Sequence, residues 1–172
     1  MEFFEAIQKR RSIRKFKKED IPDELIQKAL SAAILAPSAG NLQSWYFIVV
    51  KNKEIKLLLQ EAAWGQSWIG EAPVVIVVCA DLNRNAIYGE RGRSLFVFHD
   101  TGAAIENLLL AATALELGSV WVGAFNEQEV GKILNLDTPK LLPVALIPLG
   151  YPAEKPSGVP RRPLKEVVKY VD

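Results

Sequence analysis

Between residues 9 and 18 the chain carries seven cations, Lys9, Arg10, Arg11, Arg14, Lys15, Lys17 and Lys18, and no acid before Glu19. Planar guanidinium forks match phosphate oxygens in pairs and a serine hydroxyl adds a neutral donor, so the Arg10-Arg11-Ser12-Ile13-Arg14 spacing suits a phosphate monoester. The same cations would also complement the C-terminal end of a preceding helix dipole, and charge alone does not choose between the two. A second basic pair, Arg161 and Arg162, stands in a proline-rich tail. The chain has no G-x-G-x-x-G after a strand and no G-x-x-x-x-G-K-[ST], so a phosphate here must be held by side chains.

Hydroxyl and amide side chains gather a second time in Ala36-Pro37-Ser38-Ala39-Gly40-Asn41-Leu42-Gln43-Ser44-Trp45. Such groups read the carbonyls and ring nitrogens of a flat heterocycle. Turn chemistry explains Pro37, Ser38, Gly40 and Asn41 equally well. The only histidine, His99, precedes Asp100, but neighbouring helical positions point about 100° apart and do not face each other. His99 is therefore read as structural. With no second histidine and no G-x-S-x-G elbow, neither a histidine zinc site nor a serine hydrolase is expected. The single cysteine, Cys79, lies in the run Val74 to Ala80 and reads as a buried strand residue, compatible with a reducing compartment. No protein nucleophile, catalytic acid–base pair or metal site emerges.

These groups need elements to position them. Apolar periodicity and punctuation predict helices over Glu2–Arg10, from Pro22 to a stop at Ala36-Pro37, over Lys53–Ala63, Ser94–Leu117 and Glu127–Leu134. Buried strands are predicted at Trp45–Val50 and Pro73–Ala80, a short one at Val120–Val122, and a last one over Leu142–Leu149 interrupted by Pro143 and Pro148. Leu164–Val171 is a candidate to pair with a sheet. Long helices between short strands give an α+β or mixed α/β sandwich, and 172 residues with 49% apolar composition fill one domain, 1–172. A net charge of +1 gives no global field for a nucleic-acid or membrane partner. The longest apolar stretch, Leu108–Leu115, falls far short of the roughly 20 residues that span a bilayer. Met1 to Glu5 lacks the basic start and apolar stretch of a signal peptide, so a cytoplasmic location is the default expectation.

In order along the chain, four segments resemble the nitroreductase family of flavoproteins. Lys9 to Phe16 is similar to the family's flavin phosphate motif, with Arg10, Arg11, Ser12 and Arg14 at the contacting positions. Ala36 to Trp45 resembles the loop that the partner subunit lends to the same flavin, with Pro37, Ser38, Ala39, Asn41 and Gln43 as its contacts. Ser119 to Phe125 is similar to the segment whose backbone amide, at Gly123 or Ala124, reaches flavin N5. Leu149 to Pro152 with Arg161-Arg162-Pro163 resembles the tail that returns a basic side chain to the phosphate.

The resemblance implies bound FMN, NADH or NADPH as electron donor, and ping-pong hydride transfer through N5 to nitroaromatics, quinones or free flavin. It also implies an α+β sandwich of a mixed, mainly antiparallel sheet with long helices, assembled as a homodimer across which the flavins bind. The nearly all-apolar stretch Ala103 to Leu115 independently suits a shared core. Two departures stand out: Ser44, where many members have proline, and a short region between Val78 and Val97. A dehalogenase or flavin-cleaving specialist on the same scaffold, and a non-enzymatic flavin or anion binder, are the alternative expectations.

Overall fold

The computed structural model describes residues 1–138 and 140–171. Its frame is a four-stranded sheet of β1 (Trp45–Val50), β2 (Val74–Asp81), β3 (Gly118–Ser119) and β4 (Leu141–Gly150), in the order β1-β2-β4-β3 with antiparallel neighbours. The one parallel element is a bridge between Ser12 and Ser119. Helices are α1 (Phe3–Lys9), α2 (Asp23–Ala33), α3 (Lys53–Ala62), α4 (Ser67–Glu71), the single turn α5 (Gly89–Arg91), α6 (Val97–Ala114) and α7 (Glu127–Ile133).

β2 explains why its sequence is a continuous apolar run rather than an alternating one. Val74, Ile76 and Val78 face one core with Ile26 and Ala29 of α2 and Ile105, Leu108 and Leu109 of α6. Val75, Val77 and Cys79 face a second core with Leu59 of α3, Ile69 of α4 and Val130 of α7. Helices thus cover both faces of the sheet. Cys79 is fully buried there, as its sequence context requires, and burial pushes its thiol up to about 12.

Local sequence sets the helix ends. The Asn52 side chain accepts from the Ile55 N–H at the start of α3 (3.0 Å), and that of Asn126 accepts from Glu129 at the start of α7 (3.1 Å). Asp23 and Glu24 occupy the first turn of α2, where the dipole favours them, while Pro22 stands just outside at the cap. α6 buries Val97, Thr101, Ala104, Ile105, Leu108 and Ala112 at helical spacing. Together with the turns before it, the helical run Arg84–Ala114 is long and apolar enough to cross a membrane by composition, but this stripe packs on the sheet and α2 as a core helix does.

Four expectations are corrected. The last strand is not interrupted by its prolines: β4 runs unbroken from Leu141 to Gly150. Leu146 exchanges both of its backbone bonds with Val122 (2.9 Å each), so positions in phase with it turn away from β2. Pro148 is in that phase by alternation and the register shift at Val78/Cys79 brings Pro143 into it as well, so neither removes a donor from the β2 ladder. The short strand predicted at Val120–Val122 is displaced to Gly118–Ser119, because that is where the edge pairs with β4 on one side and the Ser12–Ile13 segment on the other. The long helix starts later than Ser94 as an α-helix, being preceded by a π-turn over Gly92–Phe96, and ends where Glu116 takes a left-handed φ of 61°. Leu164–Val171 does not pair with the sheet; Leu164–Glu166 is a 3-10 turn and the segment is exposed.

Candidate functional site

The basic segment is laid along the sheet edge by backbone bonds. Ile13 N–H donates to the Ser119 carbonyl (3.0 Å), and Lys17 N–H donates to that of Tyr151 (2.9 Å). A Cβ on Gly118 would stand 2.8 Å from Ile13 Cγ2, so only glycine lets the segment approach so closely. Glu154 accepts from the consecutive amides of Arg14 (2.6 Å) and Lys15 (3.1 Å), tying the start of the tail to the same segment.

The consequence is a cavity of about 200 Å³ lined by Arg10, Arg11, Ser12 and Arg14 from the N-terminal segment and Pro156, Ser157, Val159 and Arg161 from the tail. Residues 150 apart in sequence meet there. Arg10 also pairs with Glu106 of α6 (3.5 Å), and the Arg14 guanidinium lies 5.4 Å from the centre of the Trp68 ring. Arg11 donates to the carbonyls of Gln8 (2.6 Å) and Arg10 (2.8 Å) at the end of α1. Helix capping and anion-facing placement, alternatives on charge alone, are thus combined in one residue. Arg162 is not among the lining residues and bonds Glu166 instead. Four arginines and a serine thus line one hollow, a set of side chains able to donate to a phosphate.

A second cavity, about 380 Å³, is lined by Pro37, Ser38 and Ala39 together with Phe96, His99, Asp100 and Ala103. The turn reading of this loop is correct as geometry: Ser38 Oγ accepts from the Gln43 N–H (2.9 Å) and Asn41 N–H donates to the Ser38 carbonyl (3.0 Å). Yet the turn is strained in an unusual way. Gly40, Asn41 and Gln43 all have positive φ, of 56°, 56° and 52°, and residues other than glycine keep such angles only where their surroundings over-determine them. Gln43 Nε2 donates to the Asn41 backbone carbonyl (3.3 Å) and to Asn41 Oδ1 (3.4 Å), so the two amide side chains stand together and exposed. His99, read as structural, is exposed on the cavity wall.

The third element is the turn after Val122. Gly123 and Ala124 are exposed, and among the described residues neither of their N–H groups has a partner. A Cβ on Gly123 would meet nothing within 4 Å. Exposed amides of this kind are solvated and, with open space beside Gly123, accessible to a ligand. Their position is fixed from behind, because Gln66 Nε2 donates to the Ala124 carbonyl (2.8 Å) and Asn126 N–H to that of Ala62 (2.8 Å).

Sequence reasoning missed Gln66, Trp68, Asn85 and Glu154, which act through other residues and carry no motif of their own. Asp100 was noticed only as the neighbour of His99. In the structure it faces the loop, not the imidazole: its carboxylate accepts from Ala39 N–H (2.9 Å), Ser44 Oγ (2.7 Å) and Asn85 Nδ2 (3.0 Å).

Comparison with known proteins agrees with this geometry. The nitroreductase family model matches residues 7–69 and 58–151. A Methanothermobacter thermautotrophicus protein whose name pairs NADH dehydrogenase with NAD(P)H nitroreductase is 42% identical over 159 residues, covering 91% of this chain and 80% of the relative. A Bacillus subtilis protein named FMN reductase [NAD(P)H] is 34% identical over 181 residues, covering 96% of this chain and 72% of its own. Among solved structures, NfrA2 of B. megaterium superposes with a TM-score of 0.89 at 32% identity, covering 96% of this chain and 72% of that one.

Proposed function

Since the chain belongs to the nitroreductase family, we propose that it is an FMN-dependent oxidoreductase that takes electrons from NADH or NADPH and works as a cytoplasmic homodimer of one FMN-binding domain, 1–172. The observation that carries this reading is the convergence of Arg10, Arg11, Ser12, Arg14 and Arg161 on one cavity, which suits the single terminal phosphate of FMN. Arg161 takes this role in preference to Arg162, which bonds Glu166. The relatives named for FMN and NAD(P)H support the same cofactor pair.

Bound FMN supplies hydride transfer at N5, so a single site serves the nicotinamide and then a small oxidant such as a nitroaromatic, a quinone or free flavin. The protein's part is to bind and orient. Pro37, Ser38, Ala39, Asn41 and Gln43 would hold the ring, lent by the partner subunit, and the free amide of Gly123 or Ala124 would donate to N5. Because those donors are fixed before the ligand arrives, they cost little reorganisation when charge develops on the ring. No side chain needs to act as a nucleophile or dedicated acid.

The test is direct. Purified protein should be yellow, with close to one FMN and little FAD per chain, and should oxidise NADH or NADPH when given a quinone or nitroaromatic. Initial rates with both substrates varied should give parallel double-reciprocal lines. A colourless protein that refuses added FMN would overturn the proposal.

A further inference from the structure

Ser44, Asn85 and Asp100 form a buried polar cluster behind the wall of the loop cavity, with relative exposures of 0%, 0% and 3%. Three donors converge on the Asp100 carboxylate: one oxygen accepts the Ala39 N–H, the other accepts Ser44 O–H and Asn85 NH₂. Asn85 Nδ2 also lies 3.3 Å from Ser44 Oγ, and among the described residues Asn85 Oδ1 has no partner. An acceptor-only group is the one side chain that satisfies all three donors at once.

The cluster joins three segments: the loop at Ala39 and Ser44, the 3-10 turn Arg84–Tyr88, and α6. That turn grips the same loop twice more. Arg84 donates to the Leu42 carbonyl (3.2 Å), and Tyr88 packs over Gly40. Between the two anchors, Ala39 and Ser44, lie all three left-handed residues, Gly40, Asn41 and Gln43. Their conformation is costly in isolation and persists only if its ends are clamped.

We infer that Asp100 is the positioning residue of the ring-binding loop: with Ser44 and Asn85 it holds residues 39–43 in the left-handed conformation that presents Asn41 and Gln43 to a flat heterocycle. This rests on the FMN reading for what the loop binds, but not for how the loop is held. Ser44, standing where the family resemblance led to proline, has its meaning here, since proline has no hydroxyl to give Asp100.

Asp100→Asn keeps the shape but removes the charge and puts an NH₂ where one carboxylate oxygen accepted. The Ser44 hydroxyl can rotate and Asn85 can turn its free Oδ1 to meet that NH₂, so what the variant loses is the charge-assisted strength of the bonds, that of the Ala39 N–H included. Ser44→Ala, which removes a single donor, is the milder second variant if the first fails to fold. The readouts are amide hydrogen exchange across Ala39–Gln43 in protein without flavin, and the affinities of FMN and riboflavin. In wild type the Ala39 amide should be protected, and Asp100→Asn should speed its exchange about tenfold or more, the size of the charge-assisted strength lost. Riboflavin and FMN should weaken by the same factor, leaving their ratio unchanged, because the phosphate cavity is untouched. Ser44→Ala should move the same quantities in the same direction by less. Unchanged exchange and unchanged riboflavin affinity, with only a lower melting temperature, would reduce Asp100 to a general stabiliser and overturn the inference. A change in the FMN:riboflavin ratio would also overturn it, by moving the effect to the phosphate. A wild-type protein that binds neither flavin would instead overturn the FMN reading, while exchange at Ala39 would still decide the clamp.

Discussion

The hydroxyl of Tyr88 fills the space that a Cβ on Gly40 would require. Gly40 is therefore constrained twice, by its positive φ of 56° and by an aromatic ring braced edge-on against Phe96 with centroids 5.5 Å apart. Gly40→Ala is expected to lower the melting temperature, through about 1–2 kcal/mol for the left-handed backbone and a further steric cost. Adding Tyr88→Phe removes the colliding oxygen and leaves the ring carbon at an ordinary 3.4 Å. The double variant should regain the steric part only. Thermal unfolding of the three proteins checks this, and equal melting temperatures for Gly40→Ala and the double variant would show that the hydroxyl does not constrain the loop.

Arg14 and Lys17 separate a phosphate site from a diffuse basic face. Arg14 lines the cavity and stacks on Trp68, whereas Lys17 carries the same charge on an exposed side chain outside it. Arg14→Ala should cost roughly 1.5–3 kcal/mol of FMN binding, about tenfold to a hundredfold in affinity. Lys17→Ala should cost far less, and raised salt should shrink even that. Fluorescence titration of flavin-free protein measures both, and equal losses would return the site to a general field.

How far the sequence reaches depends on whether a residue acts by its own type or through a neighbour. β2 was legible because burial on both sides leaves no polar residue to break the run. β1, an edge strand with Tyr46 and Val49 exposed, was legible by its β-branched and aromatic composition, although it is not buried throughout as expected. The spacing of Arg10, Arg11, Ser12 and Arg14 suited phosphate chemistry without deciding it against helix capping, and nothing local singled out Arg161 over Arg162 as their companion in one cavity; that follows from how the tail folds back past Pro156. β4 misled because proline weakens a strand only where its missing N–H was needed, and what spares Pro143 along with Pro148 is a register shift in a partner 60 residues away. Asp100 was invisible as a clamp for the same reason: its partners are 15, 56 and 61 residues distant.

Lys56 gives a pH-dependent contribution to stability. Its amine is buried, donating to the carbonyls of Ala72 and Pro73 (2.9 Å to the latter) where α4 gives way to β2. Burial lowers its pKa from the usual lysine range, partly offset by Asp20 and reinforced by Lys53. The native state then releases this proton at lower pH than the unfolded chain. Between the two values the unfolded state binds more protons, so this group makes stability rise with pH. Lys56→Met keeps the apolar stem but orphans two carbonyls, costing about 1–3 kcal/mol near neutrality. Denaturant unfolding from pH 7 to 10.5 should show the wild-type curve rising relative to the variant's in the upper part of the range; parallel curves would mean the amine titrates as if solvated.

Cys79 should be inert in the folded protein. With its thiol fully buried and held up at about 12, the thiolate needed for reaction is scarce at pH 8. Ellman's reagent should find no thiol under native conditions and one per chain in guanidinium. Fast native labelling would show that the core of Val75, Val77 and Leu146 opens readily.

The last expectation concerns assembly. Phe4, Leu35, Leu164, Tyr170 and Val171 are 74%, 81%, 77%, 88% and 82% exposed, and every described residue from Ser157 onward is exposed. Isolated exposed apolar side chains are ordinary, but a tail that exposes Val159, Leu164, Val167, Val168, Tyr170 and Val171 and an α1 that exposes Phe3, Phe4 and Ile7 suit surfaces covered in an assembly. The phosphate cavity and the loop cavity share no lining residue, the arrangement expected if each flavin takes its phosphate site from one subunit and its ring loop from the other. If the partner's loop completes each site, assembly and FMN binding are linked and each must strengthen the other. Light scattering should therefore give twice the 19.1 kDa chain mass, and dilution far enough to dissociate the pair should weaken FMN affinity, while added FMN should restore the dimer. A monomer that binds FMN tightly at every concentration would mean that one chain builds the whole site, and residues 37–43 would have to be assigned to the flavin of their own subunit.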